Sequence, residues 1–202
     1  MKIDFRENKV HWMYDFSHHI LLTVLSMIRP IPRASISFAK KHFKQKEVVA
    51  AEIGVAYGSN ALSMFMELQI KQFYAIDPYV DYTDNGSTIR HEKIHAEDSQ
   101  LNYAKNILKK HSRKIIWVRG FSADVVDRIP NDIDFVYIDG NHSYDFVKKD
   151  IELYYPKIKE GGIIGGHDFD GYCPEVARAV LDFQKENNLK LYGKDSDWWI
   201  VK

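Results

Sequence analysis

Apolar residues along this chain follow two rhythms. Met13, Phe16, Ile20, Val24 and Met27 recur at helical spacing, which predicts an early helix with one apolar face. Arg29-Pro30-Ile31-Pro32 stops it, because proline cannot continue the hydrogen-bond ladder. A second short helix is predicted over residues 35–43. From residue 47 to 53 the pattern changes to a compact apolar run that ends at a glycine, as in a buried strand. Ser59 or Asn60 can cap the helix that follows, with Leu62, Phe65 and Met66 on its inner face.

The alternation then continues. Strands are expected at 73–76, 115–118, 135–138 and 162–166. Residues 78–92 read as a long polar loop. A helix over about 96–110 places Leu101, Ala104, Ile107 and Leu108 on one side, and a short one covers 123–128. Tyr144, Val147, Ile151 and Tyr154 mark another, which Pro156 helps to end. Pro174 suits the first turn of a helix reaching about residue 186. Two last strands, 189–192 and 198–201, lie too close together for a helical crossover and should pair antiparallel through the polar turn 193–197. Trp198 and Trp199 should face opposite ways, with at least one in the core. The fold class expected is α/β: a mostly parallel seven-stranded sheet, helices on both faces, and a C-terminal antiparallel hairpin.

Length and charge narrow the picture. A chain of 202 residues suggests one main domain with a full core. Lys plus Arg and Asp plus Glu balance at 28 each, which argues against nucleic acid or an acidic membrane as the partner of the whole protein. Cys173 is the single cysteine, so an intrachain disulfide framework and a cysteine-rich zinc site are excluded, in keeping with a cytoplasmic location. The N-terminus lacks the apolar core of a signal peptide, and the apolar stretch 20–28 is too short to span a bilayer.

Ligands of such sheets bind at the carboxyl ends of the strands. Four segments should meet there. Glu52-Ile-Gly54-Val-Ala-Tyr-Gly58-Ser-Asn60 follows the first strand and opens a helix. Its glycines allow a tight turn, but their spacing is neither the dinucleotide G-x-G-x-x-G nor a P-loop. Asp77 ends the second strand, 19 residues after Gly58, near the offset of a ribose-binding acid. Gly120-Phe-Ser122-Ala-Asp124 follows the third, where Ser122 can cap a helix or border a base. The fourth is Asp139-Gly-Asn-His142-Ser-Tyr144, paired with a Gly-Gly strand that ends in His167-Asp168.

From Glu52 to Asp168 the chain resembles class I S-adenosylmethionine-dependent methyltransferases. The Asp-Gly-x-His-Ser-Tyr segment and the Gly-Gly strand ending in His-Asp are similar to one branch, the small-molecule and sugar O-methyltransferases related to cephalosporin hydroxylase and macrocin O-methyltransferase. Residues 47–202 carry the resemblance. It implies a methyltransferase domain over 46–202, after an N-terminal helical cap or dimer element over 1–45. It further implies that Glu52, Gly54, Ala56, Tyr57, Gly58 and Ser59 hold the methionine part of the cofactor and Asp77 its ribose. Ser122 and Ala123 would border adenine, and Glu52 and Asp139 would complement the sulfonium cation. Asp139, His167 and Asp168 match the positions that hold a divalent ion, usually magnesium. His167 replaces what is often a carboxylate there, which suits manganese, iron or zinc better than magnesium, or leaves no metal. Without a metal, His142 or His167 is the candidate base. The expected reaction is O-methylation of a small hydroxylated molecule or sugar. A noncatalytic scaffold of the same fold and an NAD-dependent oxidoreductase are the rival readings. The second lacks its glycine motif and sixth parallel strand.

Overall fold

The computed structural model describes residues 31–84, 86, 92–94 and 98–202. The helix expected around residues 13–27 lies outside them. Pro32–Lys202 forms one compact unit. Its elements are α1 (Ala34–Phe43), β1 (Glu47–Ile53), α2 (Ser59–Glu67), β2 (Gln69–Asp77), β3 (Tyr82–Asp84), β4 (Glu92–Ile94) and α3 (Asp98–Ile107). After these come β5 (Ile115–Arg119), α4 (Ser122–Val125), β6 (Ile133–Ile138), α5 (Tyr144–Tyr154), β7 (Ile158–Gly166), α6 (Pro174–Glu186), β8 (Leu191–Lys194) and β9 (Asp197–Val201). Seven strands form one sheet in the order β5-β2-β1-β6-β7-β9-β8. The first five run parallel, and β9 is antiparallel to both of its neighbours. The expected architecture is therefore the observed one.

The pleat sends alternate residues of each strand into two cores. Ala51, Val136, Ile138, Trp198 and Ile200 pack toward α5 and α6, against Val147, Ile151, Val176 and Phe183. Ala50, Phe135, Tyr137 and Trp199 pack the other way, against Ile36, Ala39 and Phe43 of α1 and Ala61 and Met64 of α2. Both tryptophans are buried, one in each core. The expected boundary between residues 45 and 46 falls inside this compact unit, since α1 supplies part of the second core.

Asp197 ties α1 to the sheet. Its carboxylate accepts bonds from the Ser35 N–H (2.9 Å), the Ser35 hydroxyl and the Tyr137 hydroxyl (2.9 Å). The first turn of α1 is thus satisfied by a residue 162 positions away, and not by a local cap.

Three local expectations are corrected. Neither Ser59 nor Asn60 caps α2; Gly58 does so in the left-handed conformation (φ 79°), and the Asn60 side chain points to Glu52. The fully buried positions of α2 are Ala61, Ser63 and Met64; Leu62 and Phe65 pack against the same core as expected, while Met66 is exposed. The loop after β2 is not wholly irregular, since β3 and β4 pair antiparallel within it. Short strands of mixed polarity give too weak an alternation to be read directly.

Candidate functional site

At the carboxyl ends of β1, β2, β5 and β6 the chain encloses a cavity of about 200 Å³. Gly54, Asp77 and Ser122 line it, together with Phe121, Phe146 and Asp150. A larger cavity of about 950 Å³ lies at the opposite ends of the strands, beside Lys46 and Gln69, and contains none of the expected site residues. The smaller cavity is therefore the one that matches the chemistry.

Gly54 makes the crevice possible. Its φ is +86°, and a Cβ there would sit 2.0 Å from the Asp139 carbonyl oxygen. The loops after β1 and β6 can meet only because this side chain is missing. Ala56 also has a positive φ (45°), and its N–H donates to Asp77 Oδ2 at 2.9 Å. The Tyr79 N–H donates to Asp77 Oδ1 at 2.8 Å. Asp77 is thus held rigidly, with lone pairs left for further donors. Burial raises its pKa, and the backbone donors only partly offset this.

Glu52 lies on the other face of β1 and is 1% exposed. Its Oε1 accepts from the Asn60 amide at 2.8 Å, while its buried Oε2 has no partner. Burial pushes its pKa up to about 8. A buried carboxyl oxygen without a donor is costly, and a cationic ligand would relieve it. Tyr57 is exposed and meets Tyr103 edge-on. Ser59 begins α2, and Ala123 lies in α4. Glu52, Ala56, Tyr57, Gly58, Ser59 and Ala123 do not line the 200 Å³ cavity.

The second constellation follows β6 and β7. Asp139, His167 and Asp168 each offer one ligand atom within 4.8 Å of the others. Asp139 Oδ2 pairs with Arg33 at 3.2 Å, and Arg33 also donates to the Tyr137 hydroxyl at 3.0 Å. Burial raises the pKa of Asp139, which Arg33 opposes. Asp168, at φ 59°, contacts His167 Nδ1 (3.0 Å) and His142 Nε2 (2.8 Å). The other nitrogen of His142 meets Asp84 of β3 at 2.5 Å. Burial disfavours the charged imidazole of His142, but the two carboxylates outweigh it and lift its pKa to about 10. Carboxylates occupy both ring nitrogens and favour its charged form, so His142 ties β3 to the loop after β7. His167 has only one such carboxylate contact. Burial lowers its pKa, and Asp168 more than restores it.

The two constellations adjoin. Gly140 and Asn141 border both the cavity and the Asp139, His167, Asp168 cluster. The sequence reading missed Arg33, Asp84, Phe121, Phe146 and Asp150. Only Asp150 left a trace, as an acid between the apolar positions Val147, Ile151 and Tyr154 of one helix face.

Comparison with known proteins follows the same line. A family model described as a methyltransferase domain matches residues 51–169. The chain belongs to the methyltransferase-domain family. Residues 51–169 are accordingly an S-adenosylmethionine-dependent methyltransferase domain. An uncharacterised protein of Acanthamoeba polyphaga mimivirus is 28% identical over 155 residues, 70% of this chain and 63% of the relative. The match therefore spans less than two thirds of that relative's length. Among solved structures, the calicheamicin methyltransferase CalS11 is similar with a TM-score of 0.67 at 16% identity, over 92% of this chain and 91% of its own. CalS11 is described as a TDP-rhamnose 3'-O-methyltransferase. The O-methyltransferase NovP is similar with a TM-score of 0.62 at 14% identity, over 83% of this chain and 79% of its own. At these identities the solved structures speak for the shared fold. No helix among the described residues is long and apolar enough to cross a membrane.

Proposed function

We propose that this protein transfers the methyl group of S-adenosylmethionine to a hydroxyl oxygen of a small molecule, with a sugar as the acceptor class. The observation that carries this reading is the adjacency of the two constellations. A cavity for a nucleoside, bounded by Gly54, Asp77 and Ser122, shares Gly140 and Asn141 with a cluster able to handle an acceptor oxygen and its proton. The sugar rests on the described activity of CalS11.

Asp77, fixed by Ala56 and Tyr79, accepts hydrogen bonds from the ribose hydroxyls. Glu52 answers the positive charge of the amino-acid part of the cofactor with its unpaired oxygen. Gly54 and Ala56 through Ser59 follow the methionine chain with their backbone, and Ser122 and Ala123 border adenine. Methyl transfer is an in-line attack, so the acceptor must be aligned and its proton removed. His167 takes that proton, oriented by Asp168. Asp139, His167 and Asp168 also fit a divalent ion, and their mixed nitrogen and oxygen donors suit manganese, iron or zinc better than magnesium. Such an ion would lower the pKa of a bound hydroxyl. Arg33 neutralises Asp139 in the absence of a metal. The apolar helix expected near residues 13–27 is assigned to dimerisation or to covering the substrate.

The test is calorimetry with S-adenosylhomocysteine, with and without manganese or magnesium, followed by mass spectrometry of nucleotide-sugars incubated with S-adenosylmethionine. Micromolar binding and a product heavier by one methylene are expected. Absence of S-adenosylhomocysteine binding would overturn the reading, and full turnover in a chelator would retire the metal.

A further inference from the structure

Away from the 200 Å³ cavity, a different set of metal-ligating side chains meets beyond β6 and β7. His142 follows β6, Asp168 follows β7, and Cys173 is the residue before the first turn of α6. Each offers one ligand atom, and these atoms lie within 4.8 Å of one another. Cys173 is 6% exposed and forms no disulfide. The N–H groups of Tyr172 and Cys173 donate to Asp170 Oδ1 at 2.8 and 3.3 Å, which fixes the turn that carries the thiol.

Asp168 separates this set from the Asp139 and His167 pair. Its Oδ1 lies 3.0 Å from His167 Nδ1, and its Oδ2 lies 2.8 Å from His142 Nε2. One carboxylate thus turns a different oxygen to each donor set. Behind His142, Asp84 Oδ2 holds Nδ1 at 2.5 Å. A carboxylate in that place orients an imidazole and makes its far nitrogen a better ligand, as it does behind the histidines of metal sites. A histidine that only tied β3 to Asp168 would need no thiol beside the pair. Val147, Val176 and Trp198 wall the small cavity that His142 and Asp168 line, so the surroundings are largely apolar.

We infer that His142 Nε2, Asp168 Oδ2 and Cys173 Sγ form a zinc site, with the fourth position of the ion left to water. The inference stands independently of the S-adenosylmethionine reading. Thiolate, imidazole and carboxylate together are the donor set of zinc, whereas magnesium takes oxygen ligands. Zinc bonds of about 2.0–2.3 Å place ligand atoms about 3–4 Å apart, so small side-chain adjustments suffice. Coordination needs Cys173 as the thiolate and a free lone pair on His142 Nε2, and binding releases their protons to solvent. The ion would clip together the loop after β6, the loop after β7 and the start of α6. It would use Oδ2 of Asp168 and leave Oδ1 to the neighbouring cluster.

The experiment titrates the reduced, full-length chain with cobalt(II), a spectroscopic substitute for zinc, and follows absorption. A thiolate-to-cobalt charge-transfer band that saturates at one ion per chain is expected. It should be lost in Cys173→Ser and in His142→Gln, and kept in His167→Ala. Zinc affinity, measured by competition with a chelating dye, should fall by about tenfold or more in Cys173→Ser, since even the outer partners of metal sites are worth about 10–100-fold. Cobalt binding without a thiolate band would place the ion at Asp139, His167 and Asp168 alone and overturn the inference. A band that survives His142→Gln, or disappears in a folded His167→Ala, overturns it as well. If the variants do not fold, the wild-type spectrum decides, because Cys173 is the single cysteine of the chain. A thiolate band at one equivalent then upholds the site, and its absence overturns it.

Discussion

Glu52 shows how a single residue couples burial to binding. Its carboxyl sits under β1 with one oxygen unpaired, and its pKa stands near 8 against an ordinary value of 4.5. A raised carboxyl pKa means that the protonated form is favoured in the folded state. The stability it contributes is complete below the unfolded value and is lost as pH rises through about 8. Asp150 acts with the same sign near 7. The melting temperature of the ligand-free protein should therefore fall as pH rises from about 5 to 8, by at least about 2 °C. Glu52→Gln, which cannot ionise, should flatten the upper part of that fall. Calorimetric melts across the range check this, and an identical slope in both proteins would show that Glu52 does not titrate there. Binding of a cation runs the other way, since it favours the carboxylate and should release a proton near pH 7.

Among the elements, β3 is fastened beside the site by polar contacts. Asp84 accepts from the Gly86 N–H at 3.0 Å and meets His142 at 2.5 Å, and the Asn141 side chain donates to the Thr83 carbonyl at 3.1 Å. These bonds fasten β3 to the loop after β6, beside both halves of the site. Burial works against the charged carboxylate of Asp84, but its bonds to His142 and Gly86 hold its pKa below the usual value. Asp84→Asn should weaken the tether by about 1–3 kcal/mol, since it removes a partly buried charge-assisted bond. Amide exchange at Gly86 and His142 should rise by about tenfold, while exchange in β1 and β6 stays unchanged. Unchanged exchange at Gly86 would mean that the hairpin is held by its other contacts. His142 would then be fixed by Asp168 alone.

In the unit from Pro32 to Lys202, two cores flank the sheet and the crevice lies at the carboxyl ends of its strands. Strands β1, β2, β5 and β6 are held by packing on both faces, and the crevice is formed by the loops that leave them. A ligand that binds only the folded state must then stabilise the entire unit. S-adenosylhomocysteine at 100 times its dissociation constant should add about 2.7 kcal/mol. For a chain of this size that corresponds to a rise of about 5–10 °C in melting temperature. NADH at the same concentration should give none, since the glycine loop lacks the dinucleotide spacing. A shift with NADH and none with S-adenosylhomocysteine would restore the oxidoreductase reading.

Periodicity alone determined the order of strands and helices from residue 47 onward, apart from β3 and β4, and with it the parallel sheet and terminal hairpin. The bounds of β1 and α6 agree with the apolar runs because those segments are buried along continuous, regular faces. The glycine turn, Asp77, Asp139, His167 and Asp168 were legible because each stands immediately after a strand, where the chain must place its site. Tertiary structure alone decided the rest. Arg33 reaches Asp139, Asp197 satisfies the start of α1, and Asp84 holds His142, across separations that no local pattern encodes. It also left Glu52 off the lining of the 200 Å³ cavity and brought Asp150 onto it. A strand or helix is set by repeated weak preferences over neighbouring residues, which a sequence displays. A polar contact between distant elements is set by where the packed sheet leaves two groups, and that emerges only when the chain has folded.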